Sequence, residues 1–204
     1  MLGILFATEE EAKPFLKRYR RGRFDGLTEG ETFNDDDILV SLLGIGKIKA
    51  SLRTERLLNR YRLNRILHAG TCVALTDTFK AGAIVYATQV FEGDRIELSA
   101  PSYPRMPLES PAIDLPRANL VTQDHAISGE SEVTYWQRIA NVIDTTGYAV
   151  AYVAGTHGVP CSIVKVVTGF TGDEETSNRS NVFTSGTAAL AAFLLKEATA
   201  AAAD

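Results

Sequence analysis

The sequence has few of the residues that build metal sites and disulfides. It contains two cysteines, Cys72 and Cys161, and three histidines, His68, His125 and His157, dispersed along the chain. Their spacings match no zinc-binding pattern, and two isolated cysteines make no disulfide framework. We therefore expect no metal ion and no cofactor. We also expect both cysteines to be buried, reduced thiols, because free cysteine is among the most buried residue types.

Long apolar runs and excess positive charge are also missing. No run approaches the roughly 20 apolar residues that a membrane-spanning helix needs. The start of the chain lacks a basic segment and runs directly into Glu9, Glu10 and Glu11, which is unlike a secretory signal peptide. The net charge of −4 argues against a nucleic-acid backbone as partner. We expect a cytoplasmic protein that binds neither membranes nor nucleic acid.

What is present indicates one α/β domain spanning residues 1–204. Short apolar runs alternate with segments of helical periodicity, and the composition is 45% hydrophobic. The predicted strands are 2–7, 31–34, 38–43, 65–70, 83–91, 119–123 and 161–167, and the predicted helices are 9–19, 48–59, 145–156 and 181–202. Five of the seven prolines fall within 99–116, which predicts an irregular surface segment. In such folds ligands bind at the carboxyl ends of the strands.

Four segments at predicted strand ends could hold a ligand: Ala7–Glu11, Gly44–Lys47, His68–Thr71 and Thr168–Asp173. The first segment places carboxylates at the start of a helix. Their negative charge compensates the helix dipole there, and this structural role explains their presence as well as a functional role does. The second exposes backbone amides at a helix start, an anion or hydroxyl site, although it lacks the spacing of a Walker loop or a dinucleotide fingerprint. The last is flexible enough to close over a ligand and is equally consistent with a plain turn.

Taken in order, these segments resemble the purine nucleoside phosphorylase and nucleosidase superfamily, most closely its methylthioadenosine/S-adenosylhomocysteine nucleosidase branch. The matching pieces are LGILFATEEEAKPF, LLGIGKIKAS, ILHAGTCVAL, FKAGAIVYATQVF, VTQDHAISG and GYAVAYVAGTHGVPCSIVKVVTGFTGDEE, spread from residue 2 to about residue 195. The resemblance implies a three-layer α/β/α fold around a mixed, partly closed central sheet. It also implies a homo-oligomer, most often a dimer, that cleaves the N-ribosidic bond of a small-molecule nucleoside, either purine or methylthioadenosine-like.

The resemblance assigns roles to individual positions. The carboxylate that orients the nucleophilic water in the nucleosidases falls on Glu11, and the glycine turn against the nucleophile falls on Gly44–Gly46. The implied contacts to sugar and base are Ala7, Ile45, Gly46, Gly70, Thr71, Cys72, Ala126, Ile127, Thr145, Thr146, Thr168, Gly169 and Phe170. Such a site must position the nucleophile, hold the sugar hydroxyls and stabilise the departing base.

The chain departs from the family's pattern where the ligand would be held. Val73 is bulkier than the small residue expected there, and Ala126 replaces the aromatic residue of the base-stacking pair. Thr146 replaces the carboxylate that grips both ribose hydroxyls, and a hydroxyl cannot accept two charge-assisted hydrogen bonds. Gly169 replaces the acid that protonates the purine, a general acid that typically contributes about 10²–10⁴-fold to the rate.

Three interpretations of Gly169 stay open. Asp173, four positions further on, takes the place of the acid; or the substrate needs different contacts; or the protein binds a nucleoside-like ligand without cleaving it. Hydrolysis is favoured over phosphorolysis because Glu11 is present and the matched segments contain no arginine suited to clamp phosphate. An unrelated α/β protein, such as a flavodoxin-like ligand-binding domain, is the third class of function considered.

Overall fold

A computed structural model of the chain describes residues 1–94, 103–127, 129–171 and 177–201. These residues form nine strands and five α-helices. The strands are β1 (Leu2–Phe6), β2 (Thr32–Asn34), β3 (Ile38–Leu42), β4 (Arg65–Ala74), β5 (Ile84–Glu92), β6 (Arg105–Pro107), β7 (Arg117–Thr122), β8 (Val142–Asp144) and β9 (Cys161–Phe170). The helices are α1 (Glu9–Arg18), α2 (Lys47–Arg60), α3 (Glu130–Gln137), α4 (Gly147–Thr156) and α5 (Ser177–Ala201). No helix in these ranges is both long and apolar enough to cross a membrane.

The strands form one mixed sheet that is partly closed on itself. Its order is β2-β3-β1-β4-β8-β7-β5-β6, and β9 pairs with both β4 and β5. β4 pairs with β1 along Arg65–His68 and with β8 along Val73–Ala74. β9 pairs with β4 along most of the length of β4. Because β4 changes neighbour along one edge, β4, β8, β7, β5 and β9 close into a ring. The expected mixed, partly closed sheet is confirmed.

Helices cover both faces of this sheet. Ile4 and Phe6 of β1 pack in one hydrophobic core with Phe15 of α1 and Leu190 of α5. Leu5 points to the opposite face and shares a second core with residues of α2 and α4. Strands buried on both faces have continuous apolar sequences, as β1 does, since neither face meets water. The three-layer α/β/α architecture is therefore confirmed.

Two strands run further than their apolar patterns predict. β4 continues through Thr71–Ala74, and β9 continues through Thr168–Phe170, so these segments are paired strand and not loop. Closure of the ring keeps both segments paired beyond the apolar run. The strand β6 lies inside the proline-rich segment, on a sheet edge where proline is tolerated. The short elements α3 and β8 have no clear periodicity and were not predicted.

A buried ionic network joins β4, β8 and β9 inside the ring. Lys165 Nζ lies 2.8 Å from Asp144 Oδ2 and 3.0 Å from His68 Nε2. His68 Nδ1 lies 3.0 Å from the carbonyl oxygen of Leu5. Because a carbonyl oxygen only accepts, Nδ1 carries the proton and Nε2 is an acceptor. These three charged or titratable side chains are no more than 3% exposed.

The network fixes the protonation states of its members. Burial and then the charge of Lys165 lower the pKa of His68, so the ring is neutral. Burial opposes ionisation of Asp144, but the charge of Lys165 outweighs it and holds the pKa of this carboxyl far below its usual value. The Asp144 carboxylate also accepts from the Thr122 hydroxyl at 2.6 Å and from the amide of Gly147, the first residue of α4. One ionised side chain thus links two strands to a helix start.

We expect the free energy of unfolding to fall as the pH is lowered from about 7 to about 5. His68 is neutral when folded but takes up a proton on unfolding below its ordinary pKa of about 6.5, so acid favours the unfolded state. His68→Gln should reduce the slope of the unfolding free energy against pH, by at most about 1.4 kcal/mol per pH unit. Urea denaturation at a series of pH values measures it.

His125→Gln is a matched control with the opposite sign. The hydrogen bond to Glu132 raises the pKa of His125, so this group stabilises the folded state below its ordinary pKa and loses that effect as the pH rises. Removing it should leave the acid slope unchanged or steeper. A slope that His68→Gln does not change would contradict a neutral, buried His68 ring.

Candidate active site

The structure contains a cavity of about 400 Å³ beside the buried ionic network, since Asp144 and Lys165 line it. Its wall is built from β4, β8 and β9 and from the segments that follow β1, β3, β7 and β8. Nine of the positions implied by the family resemblance lie on this wall: Ala7, Glu11, Ile45, Thr71, Cys72, Ala126, Ile127, Thr145 and Thr146. Residues that are far apart in the sequence are thus brought to one cavity.

The carboxylate of Glu11 is held from two elements. At the start of α1, the Thr8 amide donates to Glu11 Oε2 at 3.2 Å, and the Glu11 amide donates to the Thr8 hydroxyl at 3.3 Å. From β4, the amide and the hydroxyl of Thr71 donate to Glu11 Oε1 at 2.6 and 2.7 Å. Oε1 is therefore well satisfied, while Oε2 keeps capacity to accept from a ligand or a water molecule.

Gly70 allows this close approach. A Cβ atom at this position would lie 2.8 Å from Glu11 Oε1, a distance that Cβ contacts essentially never show. The carboxylate rests directly on the backbone of β4 for this reason. The glycine is not itself on the cavity wall, and its role is to leave room for Glu11.

The segment after β7 forms the opposite side of the cavity and is fixed by charged side chains. His125 bridges Asp94 Oδ1 at 3.0 Å and Glu132 Oε1 at 2.9 Å. Asp124 Oδ1 accepts from the amide of Lys47 at 2.9 Å. The helix start at Gly44–Lys47, expected to offer amides to a ligand, thus gives its Lys47 amide to a carboxylate of this chain.

An apolar section of the wall suits a planar base. It consists of Val73, Ala126, Ile127 and Ile143, and the described wall contains no Phe, Tyr or Trp side chain. A base there would contact aliphatic groups instead of stacking on a ring. The replacement of the aromatic residue by Ala126, noted in the sequence, is thus not compensated by a Phe, Tyr or Trp elsewhere on the described wall.

Five implied positions are not part of the wall: Gly46, Gly70, Thr168, Gly169 and Phe170. Gly46 ends the turn before α2 with a φ of 94°, a conformation that favours glycine. The hydroxyl of Thr168 donates to the carbonyl of Cys72 at 3.1 Å, and Gly169 is buried within β9. Asp173 lies outside the described residues.

Sequence reasoning missed the polar floor of the cavity. Asp144 and Lys165 both line it, and both belong to the buried network with His68. The available signal was a charged residue in the middle of an apolar strand, as in the run CSIVKVV around Lys165. A charge is rarely fully buried unless it is paired, so such a residue indicates a partner or a site.

The cysteines contribute packing. Cys72 and Cys161 are free and buried, as expected. Burial raises the pKa of the Cys161 thiol to about 12 and raises that of Cys72 further, so neither is a thiolate nucleophile at neutral pH. Within the described ranges, no group of three or more His, Cys, Asp or Glu side chains is arranged to hold a metal ion.

Related proteins match this chain over lengths that range from less than half of it to nearly all of it. The sequence profile of the phosphorylase superfamily matches residues 1–118. The aminodeoxyfutalosine nucleosidase of Helicobacter pylori is 23% identical over 223 residues, covering 96% of this chain and 96% of that protein. The 5′-methylthioadenosine/S-adenosylhomocysteine nucleosidase of a Shewanella species is 31% identical over 91 residues, which cover 44% of this chain and 39% of that protein.

Solved structures show the same fold. The crystal structure of 5′-methylthioadenosine/S-adenosylhomocysteine nucleosidase from Helicobacter pylori with butyl-thio-DADMe-Immucillin-A has a TM-score of 0.79 at 19% identity and covers 96% of each chain. The corresponding protein from Campylobacter jejuni gives a TM-score of 0.79 at 18% identity and covers 96% of this chain and 97% of that one. With a family profile that matches more than half of its residues, the chain belongs to the phosphorylase superfamily.

Proposed function

We propose that this protein hydrolyses the N-ribosidic bond of a small-molecule nucleoside and that Glu11 orients the attacking water. The observation that carries the proposal is the Glu11 carboxylate, fixed on the cavity wall by Thr8 and Thr71. Cleavage of this bond passes through a sugar cation, which negative charge stabilises. A carboxylate already held by hydrogen bonds needs no reorganisation as that charge develops.

The size and lining of the cavity support a purine or methylthioadenosine-like nucleoside. About 400 Å³ lies within the range of small-molecule sites. One section of the wall is aliphatic and the floor is polar, which suits a base and a sugar respectively. The names of the relatives from Helicobacter pylori and Shewanella point to the same substrate class.

Water suits this site better than phosphate as the nucleophile. The described wall contains no arginine, and its lysine, Lys165, is already paired with Asp144. Phosphate beside Glu11 would also place two negative charges close together in a partly buried site, which is unfavourable. A phosphorylase of this family is the alternative that this charge pattern disfavours.

The leaving base must be protonated, and β9 has no acidic side chain at the position where the family carries its general acid. Gly169 has no side chain to supply one. We propose that Asp173, which the sequence places four residues further on, serves as the general acid. A non-catalytic nucleoside-binding protein is the alternative, because it needs the cavity but not the acid.

We further propose that the protein is a cytoplasmic homodimer with one functional domain per chain. Four apolar side chains near α2 and α4 are 51–75% exposed: Ile45, Ile48, Leu52 and Tyr152. Clustered exposed apolar residues favour a protein contact, and Ile45 also lines the cavity. A second copy on this surface would therefore lie next to the site, in line with the prevalence of symmetric dimers.

Glu11→Gln should lower kcat by about 10²–10⁴-fold, because the amide keeps the size of the side chain but loses its charge. The release of free base from adenosine, inosine and 5′-methylthioadenosine, followed by chromatography, measures it. Glu10→Gln, on the exposed neighbouring residue, is the matched control and should leave the rate unchanged. Full activity in a folded Glu11→Gln variant would remove the proposed role. Saturable binding of nucleosides without turnover by the unmodified protein would favour the non-catalytic alternative.

Asp173→Asn should abolish turnover while leaving the thermal unfolding midpoint unchanged, since an amide cannot donate an acidic proton. The adjacent Glu174→Gln tests whether any loss is specific to position 173. An unaffected rate in Asp173→Asn would place the acid elsewhere, and equal losses in the two variants would mean that the effect is not specific.

Sedimentation should give twice the chain mass of 22.1 kDa. Ile48→Lys should shift the equilibrium toward the monomer, because it places a charge in the proposed interface. Phe33→Lys, at an exposed apolar residue on β2, is the control and should leave the dimer intact. A monomeric unmodified protein, or a dimer insensitive to Ile48→Lys, would contradict the proposed contact.

A further inference from the structure

The side chains of Lys165 and Glu11 lie on the same face of the β4–β9 strand pair. The parallel register sets Lys165 beside Gly70. Paired residues of neighbouring strands point to the same face of a sheet, and the Cβ direction of Gly70 leads to the Glu11 carboxylate. Both side chains line the cavity. A ligand in this cavity therefore faces both the Glu11 carboxylate and the Lys165 ammonium.

The floor of the cavity has hydrogen-bond donors to spare. An ammonium group has three N–H donors, and the described partners of Lys165 are two, Asp144 and His68. His68 Nε2 has a single lone pair, yet it lies near both Lys165 Nζ and the Thr146 hydroxyl, at 3.0 and 2.9 Å. Among the described residues, at least one ammonium N–H thus lacks an acceptor, in a side chain that is 3% exposed.

The local charge selects a neutral ligand group at this floor. Glu11 and Asp144 together outweigh the single ammonium, and the His68 ring is neutral. An excess of negative charge disfavours a phosphate or carboxylate on the ligand and favours a sugar cation as the bond breaks. Hydroxyl groups carry no charge and accept hydrogen bonds from an ammonium.

We propose that Lys165 binds a ribose hydroxyl of the nucleoside through its free ammonium N–H, so that this site recognises the sugar with a donor. The inference rests on the proposed function, since it places a sugar in the cavity. Thr146, the neighbouring hydroxyl on the wall, completes the contact. The residue that determines preference for the sugar is then a lysine inside β9.

The test compares adenosine with 2′-deoxyadenosine and 3′-deoxyadenosine. The unmodified protein should prefer adenosine over at least one of the two by on the order of ten- to a hundredfold in kcat/KM, the range for a hydrogen bond to a charged group. Lys165→Met should lower this preference to within about threefold, because the donor is gone. Lys80→Met, at an exposed lysine, is the control and should keep the full preference.

A second variant keeps the test independent of folding. Lys165→Met leaves the buried Asp144 carboxylate unpaired, which is strongly destabilising. The double variant Asp144→Asn/Lys165→Met removes both charges together and should also lose the preference. A folded variant of either kind that keeps the full preference for adenosine overturns the inference.

Calorimetry separates failure of this inference from failure of the proposed function. If the unmodified protein binds adenosine but releases no base, hydrolysis fails, and the same three nucleosides then test Lys165 through their affinities. Weaker binding of a deoxynucleoside that disappears in Lys165→Met supports the inference. Equal affinities for all three overturn the inference alone, whereas no binding of any of them overturns the proposed function and the inference together.

Discussion

The parallel pairing of β4 with β9 is the constraint on which the site depends. It sets Gly70 beside Lys165, and the missing side chain of Gly70 lets the Glu11 carboxylate rest on the strand. The same pairing brings His68 of β4 within reach of Lys165. A shift of one residue in this register would turn Lys165 to the opposite face, because side chains alternate along a strand.

Closure of the ring brings a third strand, β8, next to β4 and β9, and residues of all three strands line the cavity. β8 pairs with β4 at Val73–Ala74, and this pairing places Asp144, the last residue of β8, beside Lys165. The buried pair is stabilised by further hydrogen bonds from Thr122 and the start of α4, as a buried ionic pair requires. Charged groups therefore line the cavity, and two of them, Asp144 and Lys165, are buried, where electrostatic effects are strongest.

Much of the fold was predictable from the sequence, and the floor of the site was not. The apolar run of β1 and the glycines after β3 indicated strands that deliver residues to one edge, and Glu11 was found through its family pattern. The extension of β4 and β9 could not be seen, because closure of the ring pairs Thr71–Ala74 and Thr168–Phe170 without an apolar pattern. Likewise, Lys165 and Asp144 are brought together because strands from distant parts of the chain lie side by side. A single sequence does not show which distant strands are neighbours.

The most direct test of the account is the product balance in phosphate-free buffer. The purified protein is incubated with adenosine, inosine or 5′-methylthioadenosine, and the free base and free sugar are quantified by chromatography with and without added phosphate. The account predicts equal amounts of base and reducing sugar from at least one nucleoside, at a rate that phosphate does not change. Base released only when phosphate is present, together with a sugar 1-phosphate, would contradict it, as would no release from any of the three.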